Sequence, residues 1–102
     1  MLMPKEKSQA ISLISPNHGG NYVQSTFNRE HLGLALLSAE LRQSGFDPQI
    51  IDSRAENQSP DEAAQTILES EPFLVGFSII AKHACEWVEE VAKRIKEEKP
   101  DV

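Results

Sequence analysis

The side chains best suited to chemistry lie in three short segments of this sequence. The first segment consists of Pro16, Asn17, His18, Gly19 and Gly20. The second is Asp52, which follows an apolar pair, and the third is Ser78 with Ile79, inside a longer apolar run. Amide, imidazole, carboxylate and hydroxyl groups can all hydrogen-bond a ligand, and a neutral imidazole can also ligate a metal ion. These three segments are therefore the candidate ligand-binding residues of the chain.

None of the three segments carries a phosphate-binding signature. A P-loop requires G-x-x-x-x-G-K-[ST], and no glycine of this chain directly precedes a lysine. The dinucleotide fingerprint G-x-G-x-x-G is also missing around Gly19 and Gly20. Asp52 alone could bind a ribose hydroxyl, or its carboxylate could cap the turn that follows it. A small nucleotide-binding domain that uses Asp52 therefore stays open as an alternative.

Metal and nucleophile chemistry has little support elsewhere in the chain. His83 and Cys85 are two residues apart, a spacing that does not place two helical side chains on one face. Cys85 is the only cysteine, which excludes an intrachain disulfide and any thiolate-held cluster built by this chain alone. We therefore expect no catalytic residue here, and we interpret Cys85 as a small buried side chain.

Composition narrows the class of protein. The 102 residues, 39% of them hydrophobic, are enough for one small domain. Ten Lys and Arg against sixteen Asp and Glu give a net charge of −6, which argues against a nucleic-acid partner. No apolar run approaches the roughly 18 residues of a membrane span, and the first residues lack a signal-peptide core. We therefore expect a cytoplasmic protein with neither a nucleic-acid nor a membrane partner.

Hydrophobic patterning predicts alternating strands and helices after a disordered leader at residues 1–9. The expected elements are a strand at 10–15, a helix at 29–44, a strand at 46–51, a helix at 60–71, a strand at 73–80 and a helix at 83–98. Residues 19–28 show no clear period and are predicted to form a long loop. Alternation of this kind is typical of a parallel sheet built from right-handed crossovers.

Local signals refine this prediction. The helix at 29–44 is expected to face the sheet with Leu32, Leu36, Leu37, Ala39 and Leu41, and to end at Gly45 in a left-handed conformation. Ser59, Pro60 and Glu62 predict a capping box at the start of the next helix. Residues 73–80 contain almost no polar side chain, which favours a strand in the middle of the sheet. Ligands of such folds bind beyond the carboxyl ends of the strands, where all three candidate segments would arrive.

Three stretches of the sequence together carry a family resemblance. Residues 32–46 read LGLALLSAELRQSGF, residues 50–52 read IID, and residues 74–78 read LVGFS. They resemble the cobalamin (vitamin B12)-binding domain found N-terminal to radical S-adenosylmethionine enzymes. The resemblance implies one domain over residues 10–102 with a Rossmann-like (flavodoxin-like) three-layer α/β/α fold. It also implies truncation after the third βα unit, since residues 100–102 would continue into a fourth strand.

The resemblance implies that a corrinoid is bound by all three candidate segments. Backbone and hydroxyl groups of residues 16–20 and 78–80 would contact the corrin and its nucleotide tail, with Ser78 beside the tail and Asp52 nearby. Another branch of the family takes a cobalt ligand from the histidine of a D-x-H-x-x-G motif.

Aligning that D-x-H-x-x-G motif on His18 shows how far this chain departs from it. Pro16 stands in place of the aspartate and Asn21 in place of the glycine. The aspartate is the partner that would fix the histidine tautomer. We therefore assign no metal ligand and keep His18 only as a weak candidate for the cobalt ligand, with a solvated loop histidine as the alternative.

The resemblance also implies a larger parent enzyme. A downstream domain would bind S-adenosylmethionine and a 4Fe–4S cluster through three closely spaced cysteines, and the corrinoid would serve methyl transfer or a related radical reaction. This chain would bind and orient the cofactor without catalysis of its own. The alternative function is a non-catalytic interaction module that has lost corrinoid binding. Because a short sheet leaves a free edge, we also expect a homodimer formed through that edge.

Overall fold

The computed structural model describes residues 9–17, 24–79 and 82–102. Its elements, in chain order, are β1 (Ala10–Ser15), α1 (Gln24–Gln43), β2 (Asp47–Asp52), α2 (Pro60–Glu69), β3 (Leu74–Phe77), a 3-10 turn (Lys82–Ala84) and α3 (Cys85–Glu98). The strand–helix order confirms the predicted α/β class with a parallel sheet. Residues 1–8 of the predicted leader lie outside the described residues. No helix in the described ranges is long and apolar enough to cross a membrane.

Strand β1 occupies the centre of a three-stranded sheet whose order is β2-β1-β3. The register pairs Ser15 with Asp52 of β2 and Ile14 with Phe77 of β3. All of β1 after its first residue is buried, as expected for a strand covered on both faces.

In the sheet that the structure describes, residues 73–80 do not form the central strand predicted for them. Only four of them form β3, which lies at an edge of the described sheet, and Leu74 is 50% exposed. An apolar run indicates that a strand can be buried on both faces, but it does not state how many strands lie beside it. The central position belongs instead to β1, whose run Ala10–Ser15 includes two serines.

Helices α2 and α3 cover one face of the sheet. Ile14 of β1 and Ile51 of β2 pack there with Ile67 of α2 and with Val91 and Ile95 of α3. Full burial of a side chain of this size contributes about 2 kcal/mol relative to exposure. This cluster is the larger of the two core clusters among the described residues and holds both helices against the sheet.

Helix α1 covers the opposite face and packs on β1 and β2. Leu34 is 5% exposed and joins a smaller cluster with Ile11 and Leu13. Helices therefore lie on both faces of the sheet, which confirms the three-layer α/β/α architecture.

The apolar stripe predicted for α1 is wrong except at Leu41, which is half-buried and packs in the cluster of Ile11, Leu13 and Leu34. Leu32 and Leu36 are each 62% exposed, and the exposed residues also include Leu37 and Ala39. The side that faces the sheet consists of Leu34, Ser38 and the half-buried Leu41. Residues 32, 36 and 39 have the same spacing as residues 34, 38 and 41. The apolar spacing therefore allows either side of α1 to face the sheet. The side that does so carries the polar Ser38, which made it the less apolar choice in the sequence.

Helix α1 also begins earlier than predicted, at Gln24 rather than near residue 29. The long loop predicted for residues 19–28 is therefore wrong for residues 24–28. Ser, Thr, Phe and Asn occupy positions 25–28, and all four are weak helix formers. The helical signal of this first turn is therefore weak in the sequence.

Two predicted helix ends are confirmed. The Ser59 hydroxyl accepts from Glu62 N–H at 3.2 Å, and the Glu62 carboxylate accepts from Ser59 N–H at 3.0 Å, which completes the capping box of α2. Gly45, just beyond α1, has φ +92°, a conformation that residues with a Cβ rarely adopt. These ends set where the chain turns back into β2 and where α2 starts after the second candidate segment.

Candidate functional site

Three chain segments leave the sheet side by side at the carboxyl ends of its strands. Ser53 N–H donates to the Ser15 carbonyl at 3.1 Å, and Ser78 N–H donates to the Ile14 carbonyl at 3.0 Å. These bonds continue the ladder one step past β2 and β3. We call this part of the molecule the carboxyl edge and define it by Pro16, Asn17, Asp52, Ser78 and Ile79. The structure thus brings together the described members of all three candidate segments, while their role in ligand binding stays a prediction.

Asn17 connects the first candidate segment to the loop between β2 and α2. Its Nδ2 donates to the Gln58 carbonyl at 3.0 Å and to Asn57 Oδ1 at 3.2 Å. Asn57 has φ +51°, the left-handed conformation that Asn tolerates better than most residues. Pro16, directly before Asn17, is buried. The described end of the first segment is therefore held against the β2–α2 loop.

Gln58 is a functional candidate that the sequence reasoning missed. Its Oε1 accepts from Ser53 Oγ at 2.9 Å, and its Nε2 donates to Thr66 Oγ1 of α2 at 2.9 Å. Its main-chain carbonyl accepts from Trp87 Nε1 of α3 at 3.2 Å, in addition to Asn17. A glutamine in a polar loop gives no sequence signal for such a role, because all of its partners are brought to it by the fold.

Asp52 is engaged by the turn that follows it. Its Oδ1 accepts from Ala55 N–H at 3.0 Å, and its main-chain carbonyl accepts from Glu56 N–H at 3.1 Å. This geometry is that of a carboxylate capping its own turn, one of the two interpretations that the sequence left open. Asp52 therefore shapes the β2–α2 loop at the carboxyl edge.

The third segment places a hydroxyl and an apolar side chain together. Ser78 is half-buried, and Ile79 beside it is 46% exposed. An exposed isoleucine next to a hydroxyl gives the edge a mixed apolar and polar character. His18, Gly19 and Gly20 lie outside the described residues, so the suggestion that His18 ligates cobalt stays a prediction.

His83 and Cys85 are the other polar candidates. Cys85 is free and half-buried at the first position of α3, and the side chain of His83 lies outside the described part. In the ranges that the structure describes, no group of three or more His, Cys, Asp or Glu could hold a metal ion. Cys85 is thus less buried than the small core residue predicted from the sequence.

Several charged side chains lie between α2 and α3. A groove of about 360 Å³ between these helices includes Asp61, Glu69, Arg94 and Glu97 in its lining. Arg94 pairs with Asp61 at 2.5 Å across the groove. Both side chains are largely exposed, so the pair contributes little to stability.

A parallel sheet with helices on both faces and three loops gathered at its carboxyl edge defines a Rossmann-like ligand-binding domain. The model of the B12 binding domain family matches residues 23–102. This is most of the chain, and the chain therefore belongs to the B12-binding domain family. The resemblance seen in the sequence is confirmed at this level, and the family supports cobalamin, a corrinoid, as the small-molecule partner. No curated protein and no solved structure matched the chain.

The described residues of the carboxyl edge fit a corrinoid. A corrinoid is a broad, largely apolar ring fringed by amide groups and carrying a nucleotide tail. Ile79 offers an exposed apolar contact, while Asn17 and Ser78 offer uncharged hydrogen-bonding groups. The one carboxylate of the edge, on Asp52, already accepts a hydrogen bond from its own turn. Residues of this chemistry could hold the corrinoid without burying an unpaired charge.

Proposed function

We propose that this chain is the cobalamin-binding domain of a radical S-adenosylmethionine enzyme and that it holds the corrinoid at the carboxyl edge. The observation that carries the proposal is the convergence of three candidate segments at one edge of the sheet, in a chain of the B12-binding family. Loops at the carboxyl ends of parallel strands are where such folds bind ligands.

Each segment of the edge would contribute a different contact. The Ser78 hydroxyl would hydrogen-bond the nucleotide tail, and Ile79 would pack against apolar parts of the ligand. Backbone and amide groups from Pro16, Asn17, His18, Gly19 and Gly20 would contact the corrin. When bound, the corrinoid supplies methyl-transfer or related radical chemistry. The residues of this chain bind it, orient it and limit its contact with water.

The proposal includes a larger parent protein. A downstream domain would hold S-adenosylmethionine and the 4Fe–4S cluster, since Cys85 is the only cysteine here and such a cluster needs several thiolates. We place the protein in the cytoplasm, in keeping with its cysteine usage. We also propose a homodimer through an exposed edge of the sheet.

A second candidate function is an interaction module without corrinoid. The outer side of α1 favours it, because Leu32 and Leu36 are both largely exposed at helical spacing and exposed apolar patches mark interaction sites. The nucleotide-binding alternative has less support, since the Asp52 carboxylate accepts from Ala55 N–H at 3.0 Å.

Retention of hydroxocobalamin tests the proposal. The purified chain is mixed with hydroxocobalamin and desalted, and the visible corrin absorbance of the protein fraction is measured. The same experiment is carried out with Ser78→Trp, which blocks the carboxyl edge. The matched control is Ser44→Trp, an exposed position after α1 at the opposite end of the sheet.

We expect the wild-type chain and Ser44→Trp to retain the corrin band and Ser78→Trp to lose it. A wild-type chain that retains no band would contradict cobalamin binding and favour the interaction module. Equal retention by Ser78→Trp would show that the corrinoid binds somewhere other than the carboxyl edge.

A further inference from the structure

The β2–α2 loop contains one carbonyl oxygen that links three separate parts of the chain. The Gln58 carbonyl accepts from Asn17 Nδ2 at 3.0 Å and from Trp87 Nε1 at 3.2 Å. Asn17 belongs to the loop after β1, while Trp87 lies on α3 and packs against the larger core cluster. The oxygen therefore connects the carboxyl edge to the most firmly packed helix layer.

The chemistry of this contact determines how the Asn17 amide is oriented. A main-chain carbonyl oxygen can only accept, so the atom of Asn17 that faces Gln58 must be Nδ2. The same Nδ2 donates its second hydrogen bond to Asn57 Oδ1 at 3.2 Å. Both donors of the amide are then used. The amide oxygen is the group that Asn17 can offer to a ligand, and it selects a ligand that donates N–H or O–H.

The side chain of Gln58 makes the position of its carbonyl rigid. Its two ends bond Ser53 and Thr66, each at 2.9 Å. The carbonyl is thus fixed from one side by the loop and α2 and from the other by the Trp87 indole. Loss of the indole N–H would remove one of these two restraints on the carbonyl and so loosen the Asn17 amide that bonds it.

We propose that Trp87 and the Gln58 carbonyl are positioning groups that fix the Asn17 amide, so that its oxygen accepts an N–H donor from a primary amide of the corrin periphery. This inference rests on the proposed function, because it assumes a corrinoid at the carboxyl edge. It assigns Asn17 an acceptor role and gives Trp87 a part in binding that acts through the bond from its indole to the Gln58 carbonyl.

Three variants separate this role from ordinary stabilisation. Trp87→Phe keeps an aromatic ring in the core and removes only the indole N–H. Asn17→Asp replaces the donating NH2 group by an oxygen. Because this substitution changes a loop residue, it still tests the role of the Asn17 amide if Trp87→Phe does not fold. Val91→Ala is the control, since Val91 is a buried residue of the same helix in the same core cluster.

Two measurements are made at a temperature where each variant is folded, the second of them only on the wild type and the variants that keep Asn17. The first is the dissociation constant for hydroxocobalamin, obtained by equilibrium ultrafiltration and corrin absorbance. The second is the NMR signal of the Asn17 side-chain NH2 group without ligand, both its chemical shift and its exchange with water. This second measurement reports the hydrogen bonds of the amide directly and does not depend on cobalamin.

We expect Trp87→Phe to weaken cobalamin binding about two- to tenfold, as for one neutral hydrogen bond, and Asn17→Asp to weaken it by tenfold or more. In Trp87→Phe the Asn17 NH2 signals should shift and exchange faster with water. Val91→Ala should lower the melting temperature, yet leave the affinity within about twofold of wild type and the Asn17 signals in place.

Different outcomes overturn different claims. If the wild type binds cobalamin and Trp87→Phe binds it equally well, or if the Asn17 signals do not respond, the positioning role is refuted while the proposed function stands. If Val91→Ala weakens binding as much as Trp87→Phe does, Trp87 acts only through stability and the inference fails. If the wild type does not bind cobalamin, the proposed function fails and the acceptor role of Asn17 fails with it.

Discussion

Replacing two leucines of α1 by alanine tests which side of this helix faces the sheet. Leu34 is 5% exposed and packs with Ile11 and Leu13, whereas Leu36 is 62% exposed. Removing a buried leucine side chain costs about 2–5 kcal/mol. The cluster around Leu34 is small, so we expect a loss of about 2–3 kcal/mol for Leu34→Ala, in the lower part of that range.

The matched variant Leu36→Ala makes the same chemical change two residues later. Only about a third of the leucine surface is removed from water there, and alanine has the better helix propensity. The expected loss is therefore below about 0.5 kcal/mol, the usual size of a surface effect.

Urea unfolding followed by circular dichroism measures both changes. With a slope of about 1–3 kcal/mol per molar urea, the midpoint of Leu34→Ala should fall by about 0.7–3 M, while that of Leu36→Ala should stay close to wild type. Equal losses, or a larger loss for Leu36→Ala, would refute the orientation of α1. A loss for Leu36→Ala that grows with protein concentration would instead show that the outer side of α1 is buried in an assembly.

Three further predictions concern the sheet and the helix ends. Ser12→Ala should leave the urea midpoint unchanged or raise it, because Ser12 Oγ is buried without a partner among the described residues. By contrast, Ser53→Ala removes a hydroxyl that is hydrogen-bonded, and it should lower the free energy of unfolding by about 1–3 kcal/mol. The Ser59 backbone N–H, and then its hydroxyl, hold the pKa of Glu62 below its ordinary value of 4.5. Urea titrations between pH 3 and 7 should therefore show that the wild type is more stable than Glu62→Gln above pH 4.5. This difference should disappear as the pH falls through the lowered pKa of Glu62. Gly45→Ala should lower the melting temperature by about 4–8 °C, as expected for a loss of about 1 kcal/mol at φ +92°, and an unchanged value would contradict the strained conformation.

The order of elements could be predicted because each carries its own local signal. Ser59, Pro60 and Glu62 lie next to one another in the sequence, so their capping box depends on no distant residue. The run Ala10–Ser15 and the glycine at position 45 are local signals in the same sense.

The predictions that failed concern features that depend on residues distant in the sequence. For α1, two sides of one helix have the same apolar spacing, and only packing against Ile11 and Leu13 selects the side with Leu34. For β3, the number of neighbouring strands decides whether an apolar run is central, and its own residues do not encode that number.

The candidate site shows the same division. That Asp52 and Ser78 lie at one edge follows from the parallel direction of the strands, which the sequence predicts. The role of Gln58 does not follow, because its partners lie in the β1 loop, in α2 and in α3. A residue whose importance comes from distant contacts carries no local pattern.

The most direct test of corrinoid binding at the carboxyl edge is a fluorescence titration of the single tryptophan with hydroxocobalamin. Trp87 donates to the Gln58 carbonyl beside this edge, and a corrin absorbs where indole emits. We predict saturable quenching that ends at one corrinoid per chain and is weakened by Ser78→Trp after correction for the added tryptophan. Quenching that never saturates and matches that of free tryptophan in solution would contradict binding at this edge.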